Sequence, residues 1–235
     1  MVTREKFKVF EGVFDNNTLN ALQKLCPKYF SRLSSPISTG KEADVYLAEK
    51  SDGYVALKIY RILARMYKGL DVYIRDDPRF KSVGRNPREV IYNWTKKEFK
   101  NLSRAASIGV RVPEPITFNK NVLVMEFIGH GDKASPLARN ALPSNPRKWF
   151  KLISGWVMNM WDDKQMVHGD LSEWNIINHD DKPVIIDISQ AVLKQHPLSL
   201  KLLKRDVYNI NNWFSKQGVK VDSLNNWLDE VIKNV

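Results

Sequence analysis

The chemistry of this chain is concentrated between residues 168 and 187. His168-Gly169-Asp170 is followed by Asn175, then by an apolar stretch that ends in Asp187. An aspartate on a rigid loop can orient an attacking hydroxyl or accept its proton. Asn175 and Asp187 offer oxygens from two adjacent short strands, close enough to share Mg²⁺ ions. Such ions neutralise phosphate charge while a phosphoryl group transfers. His168 reads as a brace for the loop.

A second group lies upstream. In the strand 54–60, alternation puts Val55, Leu57 and Ile59 on one face and Ala56 and Lys58 on the other. A buried lysine needs an anionic partner. The helical stretch 88–107 supplies one, because Ile91, Trp94, Glu98 and Leu102 fall on a single face. Lys58 paired with Glu98 satisfies both charges and directs the ammonium at a phosphate. Ser38-Thr39-Gly40-Lys41-Glu42-Ala43 has one glycine and lacks the G-x-x-x-x-G-K-[ST] frame. Its backbone amides and the Ser38 and Thr39 hydroxyls could still hold phosphate oxygens.

The elements that must position these groups follow from periodicity. Residues 15–29 read as a short helix capped by Asp15 or Asn16, and SRLSSP as a linker. Strands are expected at 37–48, broken at Thr39–Gly40, and at 54–61, with Lys50–Gly53 as the hairpin turn. Residues 62–89 read as a basic, irregular insertion with some helical pattern early. Helix 88–107 stops at Gly109. A hairpin follows at 115–118 and 121–128. Helix 146–164 is amphipathic, with Trp149, Leu152, Ile153, Trp156, Val157 and Met160 on one face. Short strands at 175–178 and 183–188 precede helices at 198–215 and 222–233. The order, strands plus one helix and then mostly helices, predicts two small lobes hinged near Ile128–Lys133.

Composition removes other classes. Of 235 residues 43% are apolar, enough for a core, so a disordered chain is excluded. The single cysteine, Cys26, excludes a disulfide framework and a Cys-rich zinc site. No apolar run approaches the roughly 18 residues that span a bilayer. The charged start, MVTREKFKVFEG, has no apolar core of a secretory signal, so no membrane partner and a cytoplasmic location are expected. The net charge is +11, and 58–111 holds 14 Lys/Arg against 5 Asp/Glu. A solvated basic helix or a polyanion-facing surface both account for that excess.

In order, HGD, Asn175 and Asp187 resemble the catalytic and metal-binding segments of the protein-kinase-like superfamily. Asp187-Ile188-Ser189 stands where DFG is usual, no Ala-Pro-Glu occurs, and few residues remain for a peptide platform. From Ile37 to Phe214 the chain is similar to RIO kinases, an atypical family, and most of all to the first RIO subfamily. The pieces are STGKEADVY, ALKIY, NPREVIYNWTKKEFKNL, VLVMEFIG, HGDLSEWN, IIDISQAV and HPLSLKLLKRDVYNINNWF. The second subfamily has a more glycine-rich loop and a winged helix ahead of the kinase lobe, which the few residues before Ser38 do not supply. The missing C-terminal extension of eukaryotic members points to a compact archaeal type.

The resemblance implies an α+β, bilobal kinase-like fold. Residues 1–36 would be an N-terminal helical extension and 37–128 an N-lobe of antiparallel sheet plus helix, carrying the basic insertion. Residues 129–235 would be a reduced, mostly helical C-lobe. It implies an ATP- and Mg²⁺-dependent serine/threonine kinase or ATPase, with Mn²⁺ as a substitute, acting on a small ribosomal subunit precursor. Lys58 would bind phosphate with Glu98 as partner. Met125 would be the gatekeeper, and Glu126 and Ile128 would give adenine backbone contacts, beside Ser38, Thr39, Lys41 and Ala56. Asp170 would be the catalytic aspartate and Asn175 and Asp187 the metal ligands. Asp187 could itself take the phosphoryl group as an aspartyl-phosphate. The alternatives are a small-molecule kinase of the aminoglycoside type, a tRNA-modification-type kinase, or an RNA-binding pseudokinase scaffold.

Overall fold

The computed structural model describes residues 12–62, 70, 72–74, 76–80 and 86–234. The chain forms two compact units. One comprises Met1–Lys100 with Pro113–Ala134, the other Asn101–Val112 with Ser135–Val235.

The first unit begins with α1 (Asn16–Leu25), capped by Asp15, whose carboxylate accepts from the backbone N–H of Asn17 and Thr18. The helix ends earlier than position 29, because Pro27 disfavours a helical residue before it. The strands β1 (Arg32–Thr39), β2 (Ala43–Lys50), β3 (Gly53–Tyr60), β4 (Pro115–Asn119) and β5 (Val122–Glu126) form one antiparallel sheet in the order β1-β2-β3-β5-β4. SRLSSP is therefore not a linker but most of β1. Its proline is tolerated because β1 is an edge strand with register shifts on either side of Pro36, where no N–H is needed. One sheet face packs Val55, Leu57, Ile59, Val122 and Val124 against Leu19, Leu22 and Leu25 of α1. Each such burial contributes about 1.5–3 kcal/mol. Small strands β6 (Gly129–His130) and β7 (Lys133–Ala134) close this unit.

Helix α2 (Pro87–Ala106) starts with proline at its first position, and Asn86 Oδ1 accepts the Arg88 N–H. It terminates where Gly109 turns left-handed at φ +76°. Within the basic insertion, 63–69, 71, 75 and 81–85 lie outside the described residues, Arg75, Lys81 and Arg85 among them. The described part is not the irregular loop expected. Leu70, Ile74 and Phe80 are buried against Val90, Ile91 and Trp94. Nor is Arg79 a free surface charge, since it makes a 2.6 Å ion pair with Asp77, itself only 2% exposed.

That packing buries Lys97 completely, with its ammonium 5.0 Å from the Trp94 ring centroid. Burial, aided by Arg79, pushes its pKa down to about 7, against the pull of Asp77 and Glu98. The folded state then loses a proton that the unfolded chain keeps until about pH 10.4, so this group makes stability rise from pH 7 towards 10. Lys97→Met should flatten that rise. Melting curves of both proteins from pH 7 to 9 should diverge by several degrees, and parallel curves would refute the assignment.

The second unit is mostly helical. Helix α3 (Pro146–Asp162) is capped by Asn145 and buries Trp149, Phe150, Ile153, Trp156, Val157, Met160 and Trp161. Leu152, expected on that face, is 41% exposed, because the stripe centres on Ile153 and Val157 and leaves it at the margin. Strand β8 (Met166–Val167) pairs with β11 (Val192–Leu193), and β9 (Ile176–His179) with β10 (Lys182–Ile185). Helix α4 (Ser199–Ser215) meets α3 through Phe150–Phe214 and Trp149–Trp213 ring contacts. Helix α5 (Asp222–Lys233) ends the described chain.

Candidate active site

In the first unit, Lys58 Nζ lies 2.8 Å from Glu98 Oε1, with side-chain exposures of 9% and 1%. The Tyr60 hydroxyl donates to the other Glu98 oxygen. Two donors one strand period apart therefore hold one buried carboxylate, as charge burial requires. Tyr60 went unnoticed in the sequence, although it stands two residues from Lys58 on the same face.

Strand register sorts the remaining candidates. Ser38 aligns with Val45, Lys58 and Leu123, and Ala56 aligns with Leu47 and Met125. Ser38, Ala56, Lys58 and Met125 thus share a sheet face. Thr39 pairs with Asp44 and faces the other way, where it lines a cavity of about 460 Å³ with Phe14, Tyr46 and Arg61. Its hydroxyl is not beside Lys58. Gly40 N–H donates to Ala43 O at 3.0 Å, and a Cβ on Gly40 would lie 2.9 Å from that oxygen. Only glycine fits this turn, which leaves Lys41 exposed. The Glu126 N–H is bonded to Glu114 O, so a base contact from Glu126 must use its carbonyl. Ile128 is buried two residues on.

Lys58→Met leaves Glu98 anchored by Tyr60 but removes the ammonium. If Lys58 contacts an ATP phosphate, as the resemblance implies, loss of that charge-assisted contact, about 1.5–3 kcal/mol, should lower kcat/KM for ATP by roughly 10–100-fold. Activity within twofold of wild type would show that Lys58 does not contact phosphate.

In the second unit, the loop from His168 to Leu171 is locked from several sides. The Asp170 N–H donates to His168 Nδ1 at 3.3 Å, so the remaining proton sits on Nε2, 3.2 Å from Ile186 O. Gly169 has φ +84°, and a Cβ there would meet Gln190 O at 3.1 Å. The Asp206 carboxylate on α4 accepts the Gly169 N–H at 2.7 Å and the Leu171 N–H at 2.9 Å. Arg205 donates to Gly169 O, and Asn209 to Leu171 O at 3.1 Å. Burial pushes the Asp206 carboxyl up to about 7, against those two N–H bonds and Arg205.

Asp170 projects from this scaffold with its side chain 44% exposed. Partial burial raises its pKa, and the Asp187 charge adds to that, opposed by Arg205 and Asn175. Asn175 Nδ2 donates to Asp170 O at 2.7 Å, which turns Oδ1 away from that bond. Asn175 immediately precedes β9. Asp187 lies just past β10 in the left-handed region, φ +55°, and Ser189 Oγ donates to its Oδ1 at 2.9 Å. A non-glycine residue there is strained unless its surroundings hold it. The Ile188 and Ala191 carbonyls accept from buried Asn101 Nδ2 at 3.0 and 3.3 Å. The donor set of Asn175 and Asp187 is all hard oxygen, which suits Mg²⁺, and a cation there would offset the repulsion between Asp170 and Asp187.

Asp206 and Asn101, like Tyr60, were missed in the sequence. The signal for Asp206 was a carboxylate at an apolar phase of α4, among buried Leu202, Leu203, Val207 and Ile210.

Comparison with known proteins gives the family. Residues 44–226 match the RIO domain family. A RIO-type serine/threonine-protein kinase Rio1 of Haloferax volcanii is 40% identical over 93% of this chain and 76% of its own length. That of Methanocaldococcus jannaschii is 39% identical over 92% of this chain and 74% of its own. The human serine/threonine-protein kinase RIO1 is 36% identical, and the matched part is 38% of its length. Among solved structures, the Chaetomium thermophilum Rio2 kinase in an ADP/Mg²⁺-phosphoaspartate complex superposes with TM-score 0.65 at 22% identity, over 85% of this chain and 60% of that one. That likeness carries the kinase-like α+β fold. The chain belongs to the RIO family of serine/threonine kinases.

Proposed function

We propose that this kinase uses Mg²⁺ and ATP, with the first unit as its N-lobe and the second as its C-lobe, and that Asp187 can receive the γ-phosphoryl group. The observation that carries the reading is the pair Asp170 and Asp187. Both stand on a loop system braced by His168, Asp206 and Ser189, with Asn175 beside them. Bound Mg²⁺ would supply charge neutralisation for the phosphates, held by Asn175 and Asp187. Lys58, fixed by Glu98 and Tyr60, binds phosphate oxygens. Ala56 and Met125 contact the base, and Glu126 offers its carbonyl. Asp170 orients an acceptor hydroxyl and takes its proton. In the hydrolytic cycle an Asp187 oxygen bonds to the γ-phosphorus while the bond to the β–γ bridging oxygen breaks and ADP leaves. Water then releases phosphate and restores Asp187. The strained φ of Asp187 and the phosphoaspartate in the Rio2 complex of Chaetomium thermophilum support this second route.

A nucleotide-binding titration with and without Mg²⁺ tests the reading. Affinity should rise with Mg²⁺ in wild type and lose that dependence in Asp187→Asn. Mg²⁺-independent binding in both would favour a pseudokinase scaffold.

The partner is a small ribosomal subunit precursor, met by the basic insertion. Among the described residues no helix is long and apolar enough to cross a membrane, and the lone thiol suits a reducing compartment such as the cytoplasm. Neutralising Lys81, Arg85 and Arg88 together should weaken subunit binding and shrink its salt dependence by up to about three log units per log unit of salt. Arg79 must be left in place, since its loss orphans buried Asp77. Unchanged binding with an unchanged salt slope would make that charge a solvated face.

A further inference from the structure

Helix α3 has a glycine at its centre, Gly155, where alanine is the more stable choice. A Cβ there would meet nothing within 4 Å. No packing contact therefore calls for glycine. Gly155 instead lines a groove of about 700 Å³ between α3 and the turn that joins α4 to α5. That volume is in the range of small-molecule sites, about 300–1,000 Å³.

The lining has a definite chemistry. Phe150, Met158 and Val219 provide apolar surface. Arg147 and Lys151, one helical turn apart, and Lys220 on the opposite wall provide three exposed cations, and no lining residue is acidic. Ser154, also in the wall, is 4% exposed, and its hydroxyl has no hydrogen-bond partner. A buried hydroxyl left unbonded is costly, and a polar ligand atom would relieve it. Asp170, Asn175 and Asp187 do not line this groove.

We propose that the groove binds an amphipathic anion. Its apolar body would lie on Phe150, Met158 and Val219, over the space Gly155 leaves open. Its phosphate or carboxylate head would be held by Arg147, Lys151 and Lys220. The cations select charge, and the apolar wall rejects a simple inorganic ion.

Calorimetry on the full chain tests this, with decyl phosphate and decanoate below their micellar concentrations and saturating Mg·ATP present. The expected result is saturable one-to-one binding of at least one of the two, and their ranking distinguishes a phosphate from a carboxylate head. Decyl glucoside, the neutral control, and inorganic phosphate alone should each bind at least tenfold more weakly. Gly155→Leu fills the groove and should weaken binding at least tenfold, whereas Gly155→Ala should change it less than threefold. The double substitution Lys151→Glu with Lys220→Glu alters only exposed side chains and should also cost at least tenfold. It keeps the test open if Gly155→Leu does not fold. Binding of neither anion, equal binding of the neutral control or of inorganic phosphate, or indifference to the charge reversal would overturn the proposal.

Discussion

Asp170→Asn is expected to slow phosphoryl transfer by about 10²–10⁴-fold, the usual contribution of a positioned general base, while nucleotide affinity stays within a few-fold. The amide keeps the size of the side chain and can still accept from Asn175, so the loop should not rearrange. What is lost, on the proposed reading, is the carboxylate that orients and deprotonates the acceptor. Its pKa, raised by burial and by Asp187, makes it a better base than an exposed aspartate. Asp187→Asn should differ by losing Mg²⁺ dependence as well, because a charged oxygen ligand is gone. Single-turnover rates with ATP and Mg²⁺ titrations on both variants check the division. The same Mg²⁺ response in the two would contradict it.

Asp206→Ala should strongly destabilise the second unit. The change leaves the Gly169 and Leu171 N–H groups buried without their acceptor. At about 1–3 kcal/mol for each orphaned group, the cost is roughly 2–6 kcal/mol, with activity falling because Asp170 sits between the two released amides. Asp206→Asn should lie between, since one amide oxygen can replace only one of the two acceptors. The raised carboxyl also sets a sign with pH. The folded state holds a proton that the unfolded chain releases near pH 4, so this residue makes stability fall from about pH 4 to about 7 and then level off. Urea denaturation at pH 5 and pH 8 should show a smaller difference in Asp206→Asn than in wild type. An unchanged difference would mean the carboxyl does not titrate there.

What the sequence made legible was local. Alternation in β3 exposed Lys58, and helical phase in α2 exposed Glu98, because each pattern is complete within a few residues. The 168–187 spacing was readable for the same reason. Asp206 was not, since its partners are backbone amides more than thirty residues away that have no side-chain signature. Thr39 was grouped with Ser38 by adjacency, yet one step along a strand reverses the face. SRLSSP looked like a linker because serine and proline are turn formers, and only its edge position in the sheet explains why it pairs. Arg79, one of the 14 basic residues counted in 58–111, is claimed by buried Asp77.

The most direct measurement is incubation of the purified chain with Mg²⁺ and γ-labelled ATP, followed by acid quench and hydroxylamine treatment of the protein. The account predicts Mg²⁺-dependent label that survives acid, is released by hydroxylamine, maps to the peptide containing Asp187, and is absent from Asp187→Asn. Label that resists hydroxylamine, or maps elsewhere while Asp187→Asn labels as well as wild type, would contradict the role of Asp187 as phosphoryl acceptor. No label together with no phosphate release would contradict phosphoryl transfer by this chain altogether.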